Sequence, residues 1–294
     1  EIASCLVGSE MCIRDSCMTW DYSLAPGDTN VRKLWENGAH QYLCPGVQGW
    51  NQTIHLLDIA YENIKKMASF AHQFDGEGLL TTDWGDYGHL QHPELALVGI
   101  IYGAAFGWNS KIPEREEINA DISVIEYGDR SATLIEVISE MSNQAVMHWG
   151  ELVQFSETYR YQIAGKDMDT FWKGYLPRIE TSLPHIVECN ETIRNDMAKV
   201  AALLVQIEDD RREGIAPVLH MAEGQILINT ILRVLDREYL GHPDAYTGDT
   251  KALAEALEIW YYEYRRQWHK ISRESELYRI GELIFWLADY IREL

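Results

Sequence analysis

The feature that most constrains this chain is a change of rhythm near Ser110–Pro113. Before it, short runs of large and β-branched residues alternate with helical stretches; after it, helical periodicity continues alone. Cys17–Tyr22 (CMTWDY) reads as a strand followed by the Pro26-Gly27 turn. Val31–Ala39 reads as a short helix closed by Gly38, and His40–Gly46 as a strand stopped by Pro45-Gly46. Residues 51–74 predict a helix, because Leu57, Ala60, Tyr61, Ile64, Met67, Ala68 and Ala71 recur at helical spacing. Glu77–Trp84 reads as a third strand and Pro93–Trp108 as an apolar helix with proline in its first turn. Its small residues Gly99, Gly103, Ala104 and Ala105 suit close packing on a sheet. Strand and helix in alternation imply a parallel sheet, and three such strands cannot close a barrel but can be the end of one. Downstream, helices are expected over roughly 114–125, 131–163, 168–176, 185–212, 216–239, 250–270 and 273–294, with a loop at His242–Asp249. Ser272 stands where an N-cap belongs, with Glu274 and Glu276 in the first turn, where negative charge is favourable.

With 294 residues, 46% of them hydrophobic, the chain can bury one large core or two ordinary ones. A formal net charge of -21 argues against a nucleic-acid partner, which needs a basic face. It suits a neutral or cationic ligand, and it is also the ordinary surface of a cytosolic protein. No uninterrupted apolar run reaches the ~18 residues of a membrane span, so no membrane partner is expected. Beyond residues 1–16, which hold Cys5 and Cys12, the cysteines Cys17, Cys44 and Cys189 are odd in number and widely spaced, with neither a metal pattern nor a disulfide framework. Reduced thiols are expected, which leans toward the cytoplasm. Val7–Ser16 (VGSEMCIRDS) matches, in frame, a transposase adapter used in sequencing libraries. Residues 1–16 are therefore expected to be artefactual and disordered, and the reading frame to be truncated at its 5′ end, so that no signal peptide can be inferred. The remaining chain divides into 17–110, strand–helix in character, and 111–294, helical.

Candidate binding residues cluster where strands give way to loops, which is where active sites lie in eight-stranded barrels. Trp20 and Tyr22 end the first strand; the indole can stack on the apolar face of a sugar or plug a core. Trp50 and Asn51 follow the Pro45-Gly46 turn, Trp50 as a sugar contact and Asn51 as the cap of the following helix. In GLLTTDWGDYGH (Gly78–His89), strand alternation separates Asp83 from Trp84, and Gly85 lets the chain turn so that Asp86 faces the same space as Trp84. A carboxylate beside an indole fits a hexose: the carboxylate accepts two hydroxyl hydrogens and the ring packs on the carbons. The structural role is favoured for Asp83 and ligand binding for Asp86. The two are poorly placed to straddle a glycosidic bond as an acid–base pair. Asp86, His89 and His92 form a weak metal pattern, with packed or solvent-facing histidines the commoner outcome. No metal or cofactor is expected.

Taken together, YLCPGVQGWN (Tyr42–Asn51) and the stretch from Gly78 to Asn109, with YRRQWHKISRESEL (Tyr264–Leu277) further on, resemble glycoside hydrolase family 20, the β-N-acetylhexosaminidases. The likeness is to the end of their catalytic barrel, with a C-terminal helical extension. It implies the last strands and helices of a truncated (β/α)8 barrel followed by a helical domain. It also implies a parent that removes terminal β-linked N-acetylhexosamine with retention, the substrate's acetamido oxygen acting as nucleophile. In that family an adjacent Asp-Glu pair supplies the protein's share of the chemistry. No such pair lies upstream of Trp20, so no catalytic residue is carried over and the fragment is expected to be inactive. The resemblance places the floor and hydroxyl anchor on Trp84 and Asp86, with Trp50, Trp20 and Tyr22 as wall candidates. A non-catalytic carbohydrate-binding or helical interaction protein, or another (β/α)8 glycosidase, are the alternatives.

Overall fold

The computed structural model describes residues 16–109, 111–161 and 167–294. Of the adapter-like stretch, only Ser16 falls within them. The chain forms two compact units that interleave along the sequence. The first comprises residues 1–48, 56–83 and 96–118, and the second 49–55, 84–95 and 119–294.

The first unit holds a three-stranded parallel sheet in the order β1 (Cys17–Trp20), β2 (Gln41–Cys44), β3 (Gly78–Leu79). Helices α1 (Thr29–Glu36) and α2 (Leu57–Gln73) make the crossovers, and α3 (Ala96–Trp108) follows. Parallel pairing follows from that connectivity, since a tight hairpin cannot join parallel strands. Val31, Leu43, Met67, Phe70 and Phe74 form the buried core between α1, β2 and α2. On α3, a Cβ on Gly99 would come within 2.7 Å of Val47, and one on Gly103 would overlap Thr81. Those two glycines let the helix lie on the sheet, whereas Ala104 faces outward.

This is not the closing arc of a (β/α)8 barrel followed by a helical domain: among the described residues 66% are helical and the strands are three short ones in one small sheet. The error began at Glu77–Trp84. Only Gly78 and Leu79 join the ladder, after which Leu80 and Thr82 donate to Leu43 and Pro45 carbonyls and a single bridge joins Gly46 to Thr82. Apolar and β-branched composition made the segment look like a full strand, but the pairing that defines a strand is supplied by a neighbour, and β2 ends at Cys44.

In the second unit the helices after α4 (Arg115–Ile125, which spans the division at 118) are α5 (Leu134–Ser142), α6 (Trp149–Tyr161), α7 (Met168–Ile179) and α8 (Ile186–Leu204). They continue with α9 (Asp209–Ile215), α10 (Pro217–Leu235), α11 (Thr250–Ile271) and α12 (Leu277–Arg292). The expected helix 131–163 breaks at 143–148 because α10 competes for its backbone. Asn229 Oδ1 accepts from Val146 N at 3.1 Å, and Asn229 Nδ2 donates to Gln144 O at 3.0 Å. Gln225 Nε2 donates to Met147 O at 2.9 Å. Asn190 of α8 and Thr53 complete this buried amide network, Thr53 Oγ1 donating to Gln225 Oε1 at 2.8 Å. The expected helix 185–212 likewise breaks, at 205–208, between α8 and α9.

Two capping expectations are corrected. Ser272 ends α11 in an extended conformation, and α12 starts after Glu276 without a side-chain cap. Asn51 has φ +62 and α2 does not begin until Leu57, so Asn51 caps no helix; its left-handed backbone, which asparagine tolerates well, precludes it. Asp249 is a cap, accepting from Lys251 and Ala252 N–H at the start of α11. The stretch Asp209–Leu240 is, by length and composition, apolar enough to cross a membrane; 61% of its most apolar window is buried within the protein.

Candidate functional site

Trp84 to Gln91 forms a turn in the second unit that is held at both ends and in its middle. Gln91 Nε2 donates to Trp84 O at 2.8 Å, Trp149 Nε1 to Tyr87 O at 2.9 Å and Tyr264 Oη to Leu90 O at 3.1 Å. Gln91 and Trp149 are each only 1% exposed, so the donors are fixed from inside the unit. Gly85 is required by contact, since a Cβ there would overlap the His89 ring. Gly88, at φ +98, brings its Cα against Ile280 of α12, where an added Cβ would lie 2.9 Å from Cγ1. Tyr87 and His89 also take left-handed conformations, φ +50 and +57. For a bulky residue such as tyrosine this is a genuine outlier, of a kind that concentrates at functional positions.

This scaffold leaves the indole of Trp84 49% exposed and the neighbouring Asp86 side chain open to solvent. Holding a large apolar ring in water on a rigid backbone forgoes the ~1.5–3 kcal/mol that its burial would contribute. Asp86 begins a single 3-10 turn whose carbonyl accepts from His89 N at 3.3 Å, so its carboxylate is not consumed in capping. Trp50, in the same unit, is half-buried.

Trp20 and Tyr22 belong to the first unit. Their rings stack at 5.6 Å and Trp20 is 65% exposed, so it is not a core plug. Buried Asn63 of α2 fixes this end of the sheet: its Nδ2 donates to Asp21 O and Ser23 O, and its Oδ1 accepts from Gly46 N. Gln48 Nε2 adds a bond to Tyr22 O at 2.7 Å. Trp20 and Tyr22 thus share one braced loop of the first unit, their rings in contact, and Trp84 and Asp86 share a braced turn of the second.

The histidines take packing roles. His89 rests on Gly85, and His92, beside His55, has its pKa lowered to about 4, chiefly by burial and then by His55, which keeps it neutral near pH 7. Among the described residues no group of three His, Cys, Asp or Glu is arranged to hold a metal ion. Burial raises the thiol pKa of Cys44 and of Cys189.

No family model matches the chain, and no curated protein matches it. The family 20 resemblance therefore rests on the quoted residues themselves. Sequence reasoning passed over Tyr87; a tyrosine between Gly85 and Gly88 was the available signal, because glycines on either side allow the backbone to be forced into an unusual path.

Proposed function

We propose that the Trp84–Asp86 turn is a sugar-binding element, and that the protein to which it belongs acts on terminal β-linked N-acetylhexosamine, as the resemblance to glycoside hydrolase family 20 implies. The observation that carries this reading is the exposed indole beside an exposed carboxylate on a turn pinned by three buried donors. A pyranose presents C–H groups on one face and hydroxyls at its edge. Trp84 packs on the former and Asp86 accepts from the latter, without the ordering cost that a mobile loop would add on binding.

Within this chain Asp is nowhere followed by Glu, so the pair that performs family 20 chemistry is assigned to none of its residues. Binding without turnover is the expected behaviour. Titration of the full chain with N-acetylglucosamine, followed by tryptophan emission and by NMR, tests the reading. Saturable binding that weakens about tenfold or more in both Trp84→Ala and Asp86→Asn supports it. Binding that is absent, or indifferent to both substitutions, refutes it. Release of a chromogenic aglycone by the purified chain would contradict the assignment of chemistry elsewhere.

A further inference from the structure

Immediately after Asp86 the turn presents Tyr87, and Tyr87 borders two clefts of the second unit. One, of about 210 Å³, runs between α6 and α12 past Trp149, Ser156, Tyr161 and the Arg160–Glu282 ion pair. The other, of about 310 Å³, runs between α6 and α7 past Gln154, Thr158, Thr170 and Phe171. Both share Tyr87 and Glu157. The two clefts therefore adjoin at Tyr87 and Glu157, a groove along α6 next to the residue that follows Asp86.

We infer that this groove binds further sugar units of an oligosaccharide whose terminal residue rests on Trp84 and Asp86. The inference rests on the sugar reading of that turn. Three observations point to this occupant. The walls combine aromatic rings with hydroxyl, amide and carboxylate groups, the mixture that a chain of pyranoses requires. The α6–α12 cleft carries charges of both signs, Arg160 paired with Glu282 beside Arg279 and Glu157, and the α6–α7 cleft only the carboxylates Glu157 and Asp167, so a neutral ligand that donates hydroxyl hydrogens suits them better than an acidic peptide. Tyr87 is 44% exposed and held at φ +50, with its carbonyl fixed by Trp149; a strained backbone that displays a ring at the junction of the groove and the turn is explained by a ligand passing over it. Glu157, on the exposed face of α6, is placed to accept hydroxyl or acetamido hydrogens from either side.

Calorimetric titration of the full chain with N-acetylglucosamine and with its β-1,4-linked dimer and trimer tests the inference. Affinity is expected to rise about tenfold or more from monomer to trimer. Two variants should abolish that rise and leave monomer binding unchanged: Glu157→Ala and Tyr161→Ala, both exposed on α6 and outside the turn. Equal affinity for monomer and trimer, or a rise that survives both variants, overturns the groove and leaves the sugar-binding turn standing. Failure of all three sugars to bind overturns both.

Discussion

Replacing Asn229 with alanine should cost more stability than truncating most buried leucines. Asn229 is fully buried and makes four hydrogen bonds: its Oδ1 accepts from Val146 N and Gln225 Nε2, and its Nδ2 donates to Gln144 O and Asn190 Oδ1. Alanine replaces none of them. Gln225 retains its bond to Met147 O, so three partners are stranded. A buried polar group without a partner costs roughly 1–3 kcal/mol, and water entering the vacated space recovers part of that. The expected loss is about 3–6 kcal/mol, a large share of the ~5–15 kcal/mol that stabilises an ordinary domain. Urea unfolding followed by circular dichroism measures it, with Asn195→Ala on the exposed face of α8 as a control expected to stay within about 0.5 kcal/mol. Because the 143–148 link leads directly into Trp149, which holds Tyr87 O, the variant should also weaken N-acetylglucosamine binding under conditions where it remains folded. A loss below about 1 kcal/mol would refute the claim that α10 is what breaks the helix at 143–148.

Acid should destabilise the protein through its buried imidazoles. His92 titrates near 4 when folded against 6.5 when free, so the unfolded chain takes up the proton first and stability falls as pH drops from about 6.5 to 4, then levels. His92→Gln should flatten part of that slope, and an unchanged slope counts against neutral burial. His148 and His220, also lowered mainly by burial, add to the slope in the same direction. Gly85→Ala should expel the His89 ring, cost about 1–3 kcal/mol and shift Trp84 emission; Gly27→Ala, whose Cβ meets nothing within 4 Å, should be nearly silent in the same melts. Asp129→Ala should lose about 2 kcal/mol in thermal unfolding, because its carboxylate accepts from the Ser131, Thr133 and Leu134 N–H groups at the start of α5.

What could be read from the sequence was whatever the local chain decides. The face of α2 is an example: Leu57, Ala60, Tyr61, Ile64 and Met67 repeat at helical spacing and are buried. The illegible parts were decided at a distance. Nothing near residue 145 announces that Asn229, some eighty positions later, will take the carbonyl and N–H that a continuous helix would have used. The end of β3 depends on where β2 stops pairing, and Asn51 has the chemistry of a cap but a backbone turned the wrong way for it. At the candidate site, that Trp84 and Asp86 share one tight turn could be read from Gly85 between them. The donors that hold the turn come from Gln91, Trp149 and Tyr264, and two of the three lie far along the chain. Tyr87 was passed over because its left-handed dihedral angle is only hinted at by the glycines at 85 and 88.

The division of the chain into 1–48, 56–83 and 96–118 on one hand, and 49–55, 84–95 and 119–294 on the other, has a practical consequence. The polypeptide changes allegiance at 48, 55, 83, 95 and 118, so no single scission yields either half intact. An expression vector begun after residue 110 would leave Gln225 and Tyr264 without the hydroxyl of Thr53 and the carbonyl of Leu90. Protease nicking in either short insert should therefore release no independently soluble piece, because 49–55 and 84–95 are part of the helical unit itself.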